Sequence, residues 1–227
     1  MKYFKQSCSD EHKQLKQMMY QKQRFEETKQ RIKYIHSHLH CGSVYGAGIN
    51  EVDNLFIDMS KEEYSIMPHA NDETIAWCIW HMARCEDLTM NLLVKKGNQV
   101  LNDEWLKRMN VTIRDTANAM NDDEILQFSH EVGSVELLAY RDAVGMSTKG
   151  IIENLEYEDL KRLIDLEDVR RIYTEGGVID HPDSIWLLEY WGSKDVANLF
   201  LMPATRHLML NLNDIARMKQ SVQKKTW

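Results

Sequence analysis

The sequence predicts an all-α protein built as a four-helix bundle, with extra short helices in the connections. Only 10 Gly and 3 Pro occur among 227 residues, and apolar residues recur mainly three and four positions apart. Four long segments keep this spacing and are separated by irregular stretches. Because 43% of the residues are hydrophobic and no linker or repeat divides the chain, we expect one domain spanning residues 1–227.

Charge and hydropathy exclude several classes of protein. A formal net charge of −7 argues against sequence-independent binding of nucleic acid, which requires a surplus of Lys and Arg. No segment reaches the roughly 18 apolar residues of a membrane span, and residues 1–6 precede no apolar run, so we expect a cytoplasmic protein without a membrane partner. The four cysteines form no CxxC pair, which favours buried, reduced thiols.

The first long helix is predicted over residues 10–41 and ends at Gly42. The turn-rich segment 42–48 follows it. The sequence Ser60-Lys-Glu-Glu63 then provides a capping box for a short helix that Pro68 terminates. The first helix is identified by apolar or small side chains at helical spacing, namely Phe25, Thr28, Ile32, Ile35 and Leu39.

The second long helix, residues 71–96, carries a histidine, His81, inside its apolar stripe. Asn71 or Asp72 is expected to cap its start, and Gly97 to close its end after two lysines. Polar side chains are predicted on the opposite face, so the helix should be amphipathic. This polar face comprises Arg84, Asp87 and Asn91.

The remaining elements are also helical. A short helix is predicted from Asn102 to Asn110, and a third long helix starts at an Asn121 cap and runs to Met146 or beyond, with Gly133 and Gly145 as candidate interruptions. They are followed by two short pieces in residues 151–175 ended by Gly176-Gly177, an aromatic segment in residues 183–192 with an Asp183 cap, and a fourth long helix in residues 193–219, bent or interrupted at Pro203.

The fourth helix offers a candidate set of metal ligands. His207, Asn211 and Asp214 are spaced by four and seven residues, so they share one stripe of the helix. Imidazole and carboxylate groups bind zinc, nickel or iron, whereas a neutral carboxamide binds more weakly. Since no P-loop, GxGxxG, GxSxG or HExxH pattern occurs, nucleotide-dependent, serine-hydrolase and standard metallopeptidase functions have no support.

Two motifs resemble a known family. The sequences TIAWCIWHMARCED, containing His81, and TRHLMLNLND, containing His207, are similar to the second- and fourth-helix motifs of the DinB/YfiT-like proteins. The resemblance implies a four-helix bundle with an unusual helix order, often a homodimer, in which three histidines hold a divalent metal. Members with an assigned activity include metal-dependent transferases that act on small thiols such as bacillithiol or mycothiol.

The resemblance implies a metal set of His81, His207 and Asn211, binding zinc, nickel or manganese. Asn211 stands where the family has its third histidine, so either another group such as Asp214 completes the set or metal binding is lost. Two functions follow. One is a divalent-metal-dependent transferase acting on a small thiol. The alternative is a non-catalytic bundle with a degenerate metal site that binds a small ligand or a protein.

Two further groups compete as candidate sites. Cys78, His81 and Cys85 share one helical face and suit zinc, but we prefer a core role for the cysteines. Of the two, Cys85 is the better candidate for reactivity, because His81 could lower its pKa in a wet site. His36 and His40 are the chief competing metal pair, whereas His38 faces away from both. For these histidines we prefer interactions with the last carbonyls of their helix.

The aromatic residues near the end of the chain also have two interpretations. Trp186, Tyr190 and Trp191 could line a ligand pocket. We prefer a place in the core or on an intersubunit surface, because their spacing is helical.

Overall fold

The computed structural model describes residues 6–70 and 72–224, and this part of the chain is all-helical except for one isolated bridge between Leu163 and Asp195. None of the helices in these ranges is long and apolar enough to cross a membrane. The elements in order are α1 (Gln6–Met18), α2 (Phe25–His38), α3 (Glu51–Phe56), α4 (Ile75–Asp87), α5 (Asp103–Met109), α6 (Asp122–Glu131), α7 (Ser134–Glu153), α8 (Tyr157–Leu160), α9 (Leu166–Thr174), α10 (Pro182–Gly192), α11 (Val196–Leu201) and α12 (Leu208–Lys224).

Four of these helices form a bundle, which confirms the predicted fold class. Helix α4 packs against α7 and α12, and α2 packs against α7. Two π-helical segments, Leu88–Val94 and Met202–His207, extend α4 and join α11 to α12. The short helices α3, α5, α8, α9 and α10 occupy the connections.

The first predicted helix is in fact two helices. The chain leaves α1 at Met18, turns, and re-enters α2 through a short 3-10 turn, Lys22–Arg24. The hydroxyl of Thr28 donates to the carbonyl of Met18, 3.5 Å away, and to that of Arg24, 3.0 Å away. This side chain therefore stabilises the reversal that lets α1 pack against α2, where periodicity alone predicted a continuous helix.

The third predicted helix also divides, at one of the two expected glycines. Helix α6 ends at Glu131 and α7 begins at Ser134, with Gly133 between them. The Gly133 amide donates to the carbonyl of Met109, 2.8 Å away, instead of continuing α6. Gly145 lies inside α7 and does not interrupt it. The interruption expected at Pro203 is present as the second π segment.

Several helix starts differ from those predicted. The cap of α4 is Thr74, whose hydroxyl accepts from the amide of Trp77 at 3.1 Å. Of the two expected caps, Asp72 lies outside the helix and Asn71 lies outside the described residues. Helix α10 is capped by the His181 side chain rather than by Asp183. The unpredicted helix α3 has a complete capping box from Asn50 and is too short for a periodic pattern.

The prediction that α4 is amphipathic is wrong, because every residue of α4 is buried. Its polar face is covered by the rest of the fold and forms internal hydrogen bonds. The Asp87 carboxylate accepts from Arg84 at 2.9 Å and from Tyr140 at 2.8 Å. It also accepts from the backbone amides of Val100 and Leu101, at 2.7 and 2.9 Å. Removing one partner from such a buried ion pair costs about 3–5 kcal/mol.

Two glycines of α7 give a matched test of the packing. A Cβ on Gly145 would lie 2.5 Å from Nδ1 of His40, whereas a Cβ on Gly150 would have no neighbour within 4 Å. Gly150→Ala should raise the free energy of unfolding by up to about 1 kcal/mol, the difference in helix propensity. Gly145→Ala should instead lower it by about 1–3 kcal/mol through overpacking. Guanidinium titrations of both variants measure the difference, and equal effects would contradict this packing.

Candidate metal centre

The backbone of Thr116 and Ala117, which bonds to side chains of α4, holds His81 in place. Its Nδ1 lies 2.9 Å from the carbonyl oxygen of Thr116, so this nitrogen must carry the proton and donate it. The adjacent carbonyl of Ala117 accepts from the Trp77 indole at 3.0 Å, and the Trp77 ring stacks on the His81 ring with centroids 4.7 Å apart. The ring orientation and tautomer are thereby fixed, which leaves Nε2 of His81 unprotonated and able to ligate.

His207 ends the π segment between α11 and α12. Pro203 has no amide hydrogen and cannot continue the helical hydrogen bonding. The hydroxyl of Thr205 instead donates to the carbonyls of Phe200 and Leu201, at 2.7 and 3.1 Å. Such π segments are common at functional sites. This π segment places the His207 imidazole next to His81 of α4.

The two predicted histidines meet. Nε2 of His81 lies 3.1 Å from Nε2 of His207, and Sγ of Cys85 lies 3.9 Å from Nε2 of His81. Two nitrogens on one tetrahedral zinc ion lie about 3.3 Å apart, and a nitrogen and a sulfur about 3.6 Å apart. The three side chains could therefore hold a metal ion after small movements.

The protonation states of the imidazoles also suit a metal. Burial lowers the pKa of His81 and lowers that of His207 to about 3, with the neighbouring His81 adding to the second shift. Both rings are therefore neutral near pH 7, as ligation requires. Nδ1 of His207 is buried without a hydrogen-bond partner, so nothing in the protein prevents it from carrying the proton while Nε2 ligates.

The side chain beside the two histidines is the thiol of Cys85, rather than the side chain of Asn211 or Asp214. The side-chain amide of Asn211 donates to the carbonyl of His207, 2.9 Å away on its own helix. Asp214 is exposed and lies 3.7 Å from Arg217. Cys85 is one turn after His81, so both side chains point to His207. The ligand role of His81, His207 and Asn211 stays a prediction.

The expectation that His81 lowers the pKa of Cys85 is not supported. Burial raises the pKa of the Cys85 thiol to about 12, so the free protein holds it as a neutral thiol. The pKa of Cys78 is raised further by complete burial, which agrees with its expected core role. All four cysteines are buried and none is in a disulfide.

An apolar cavity of about 280 Å³ opens onto this centre. Trp186, Tyr190 and Trp191 line it, while Trp191 is also part of the core and Tyr190 packs against the core. Both interpretations of this segment therefore have support, and an intersubunit surface stays a prediction. None of the described residues in its wall is Asp, Glu, Lys or Arg. The complete lining is His81, Cys85, Asn118, Trp186, Leu187, Tyr190, Trp191, Met202, Pro203 and His207.

His36 and His40 do not line the cavity, and our preferred role for them at the helix end is wrong. Both are fully buried and face Glu86 of α4, with which they form a second cluster that could hold a metal. His38 does behave as expected, since its ring bonds to the carbonyl of Tyr34 at 2.8 Å. Spacing identified the histidine pair, but only the fold shows that a distant carboxylate joins it.

Comparison with known proteins identifies the family. A sequence model of the DinB superfamily matches residues 47–179, so the chain belongs to this superfamily, whose members typically bind a metal. The match includes His81 and Cys85 and ends before His207. No curated protein matches the chain.

One solved structure supports the fold. The crystal structure of a conserved protein from Enterococcus faecalis is similar, with a TM-score of 0.53 at 14% identity. The alignment covers 88% of this chain and 96% of that one.

The role of Cys85 can be tested against a buried cysteine on the same helix. Cys85→Ser should weaken zinc binding by at least about tenfold, since even the loss of a group that only supports a ligand costs this much. Cys78→Ser removes a thiol outside the cluster and should leave the affinity unchanged. Competition titration with a chromophoric chelator measures both. Unchanged affinity in Cys85→Ser, or equal loss in both variants, would contradict the assignment.

Proposed function

We propose that this member of the DinB superfamily is a divalent-metal-dependent transferase that joins a small thiol to an uncharged, apolar electrophile. The observation that supports this proposal is the meeting of two neutral imidazoles and Cys85 at the floor of an apolar cavity. A bound zinc, nickel or manganese ion would supply the Lewis acidity that lowers the pKa of a substrate thiol. Asn211 would support His207 through its backbone rather than ligate.

The residues of the cavity define the substrate class. A cavity of about 280 Å³ with aromatic walls suits a small, largely apolar molecule. Since no Lys or Arg lines it, a thiol carrying several carboxylates would lose hydration there without gaining an ion pair. We therefore expect neutral thiols to be preferred over acidic ones.

The proposed reaction is a substitution at carbon. The thiol S–H bond and the bond from carbon to the leaving group break, and a bond between sulfur and carbon forms. The leaving group departs with the electron pair, and the proton passes to water. The side chains hold the two reactants together, which supplies much of the advantage of an enclosed site.

One observation favours a second function, that of a non-catalytic binding module. Nε2 of His81 and Nε2 of His207 lie 3.1 Å apart and can form a hydrogen bond with each other. In that case the cavity would bind a small apolar ligand without a metal. Trp186 and Trp191 in its wall would report such binding by fluorescence.

A thiol-consumption assay decides between the two functions. Protein loaded with zinc, nickel or manganese is incubated with neutral or acidic thiols and a panel of uncharged electrophiles. We expect turnover that prefers neutral thiols, is lost in His207→Ala and is kept in Cys78→Ser. Trp186→Ala, which shortens the cavity wall, should raise KM more than it lowers kcat. Ligand-dependent tryptophan quenching without turnover would instead support the binding module.

A further inference from the structure

The buried cluster of His36, His40 and Glu86 lies outside the cavity and takes no part in the proposed reaction. Nε2 of His36 is 2.8 Å from Oε1 of Glu86, and Nε2 of His40 is 3.2 Å from Oε2. All three side chains have an exposure of 0%. We infer that this cluster is a second, closed metal site that binds a divalent ion of the zinc class and links α2 to α4.

The donor atoms have the composition and spacing of such a site. Two imidazole nitrogens and a carboxylate oxygen are ordinary ligands for zinc, and ligand atoms around it lie about 3.3 Å apart. His36 lies in the last turn of α2 and His40 lies just after the helix ends at His38. Their rings pack side by side with centroids 4.2 Å apart. One ligand atom from each of the three residues lies within 4.8 Å of the other two.

Without an ion the cluster has unmet bonding capacity. Nδ1 of His40 is buried without a hydrogen-bond partner, and the buried Nε2 of His40 and Oε2 of Glu86 contact each other at 3.2 Å. An unpaired buried polar atom costs free energy, because it has lost its water without gaining a partner. An ion between the rings and the carboxylate would satisfy two of these three atoms.

His36 has the support that a ligating histidine usually requires. Its Nδ1 lies 2.7 Å from the hydroxyl of Tyr45. When Nδ1 donates to this oxygen, Nε2 becomes the unprotonated nitrogen and faces Glu86 with its lone pair. The Tyr45 hydroxyl can also donate when Nδ1 is unprotonated, so the hydrogen bond between Tyr45 and His36 can form with and without an ion.

The charges around the cluster make Glu86 indispensable. Glu86 supplies the one carboxylate among the three donors, and each of its oxygens faces an imidazole nitrogen. The buried guanidinium of Arg141 acts electrostatically on His40 and opposes a cation there, so only an anionic ligand can make the site favourable.

A glycine in α7 leaves room for the His40 ring of the cluster. Gly145 of α7 lies against the His40 ring, and any larger residue there would overlap it. Because the ligands are inaccessible to solvent, the site has no open position for a substrate, which is typical of structural metal sites. An ion would therefore be captured as α2 docks on α4 during folding.

Refolding the full-length chain tests the inference. The protein is unfolded in guanidinium with a chelator, refolded with zinc or cobalt(II), desalted and analysed for metal. We expect Glu86→Gln and His40→Gln to retain one ion fewer per chain than the wild type. His38→Ala, a change at an exposed histidine on the same helix, should retain the wild-type number.

Cobalt distinguishes this site from the one proposed at Cys85. A thiolate ligand gives a charge-transfer band in the near ultraviolet, which a site made of His36, His40 and Glu86 lacks. We expect Glu86→Gln to keep the band and Cys85→Ser to lose it while still retaining one ion. If the proposed transferase site binds nothing, the wild type should hold one ion without the band and Glu86→Gln none.

Two results would overturn the inference. The first is an equal metal content in the wild type and a folded Glu86→Gln or His40→Gln variant, with folding checked by circular dichroism. If neither variant folds, Cys85→Ser combined with His207→Ala, which removes two donors of the site at Cys85, decides. Cobalt bound without the thiolate band then supports the second site, and the absence of cobalt overturns it.

Discussion

The complete burial of α4 is the constraint on which the rest of the structure depends. A helix enclosed on every side must find all partners for its polar side chains inside the protein. Asp87 satisfies this requirement with Arg84 and Tyr140, and its contacts with backbone amides fix the connection after the π segment. The other polar side chains of α4 point away from this network. His81 and Cys85 face His207, and Glu86 contacts His36 and His40.

The geometry of one helix explains why two candidate metal sites lie so close in sequence. His81 and Cys85 are one turn apart and face His207 together. Glu86 is rotated by about 100° from Cys85, and so faces His36 of α2 and His40, which follows that helix. The site of His81, His207 and Cys85 also depends on irregular backbone. The π segment at Pro203 positions His207, and the carbonyl of Thr116 fixes the His81 tautomer.

Sequence reasoning predicted the bundle and the pairing of His81 with His207, because helical spacing and the family motifs depend on local residues. It named Cys85 only in a competing set with Cys78 and His81, and did not place it beside His207. Cys78 and Cys85 are both one turn from His81, and only the direction from which His207 approaches separates them. The environment of His36 was missed because Glu86 is 50 residues away in the chain. The break after Met18 has no Gly or Pro to mark it.

We propose that Cys85, rather than Asn211, completes a metal site with His81 and His207. A crystal structure of the zinc-loaded protein, with anomalous data collected at the zinc absorption edge, tests it most directly. We predict an anomalous peak about 2.0 to 2.3 Å from each of three atoms, Nε2 of His81, Nε2 of His207 and Sγ of Cys85. A peak that instead contacts the Asn211 carboxamide, or no peak between the two histidines, would contradict it.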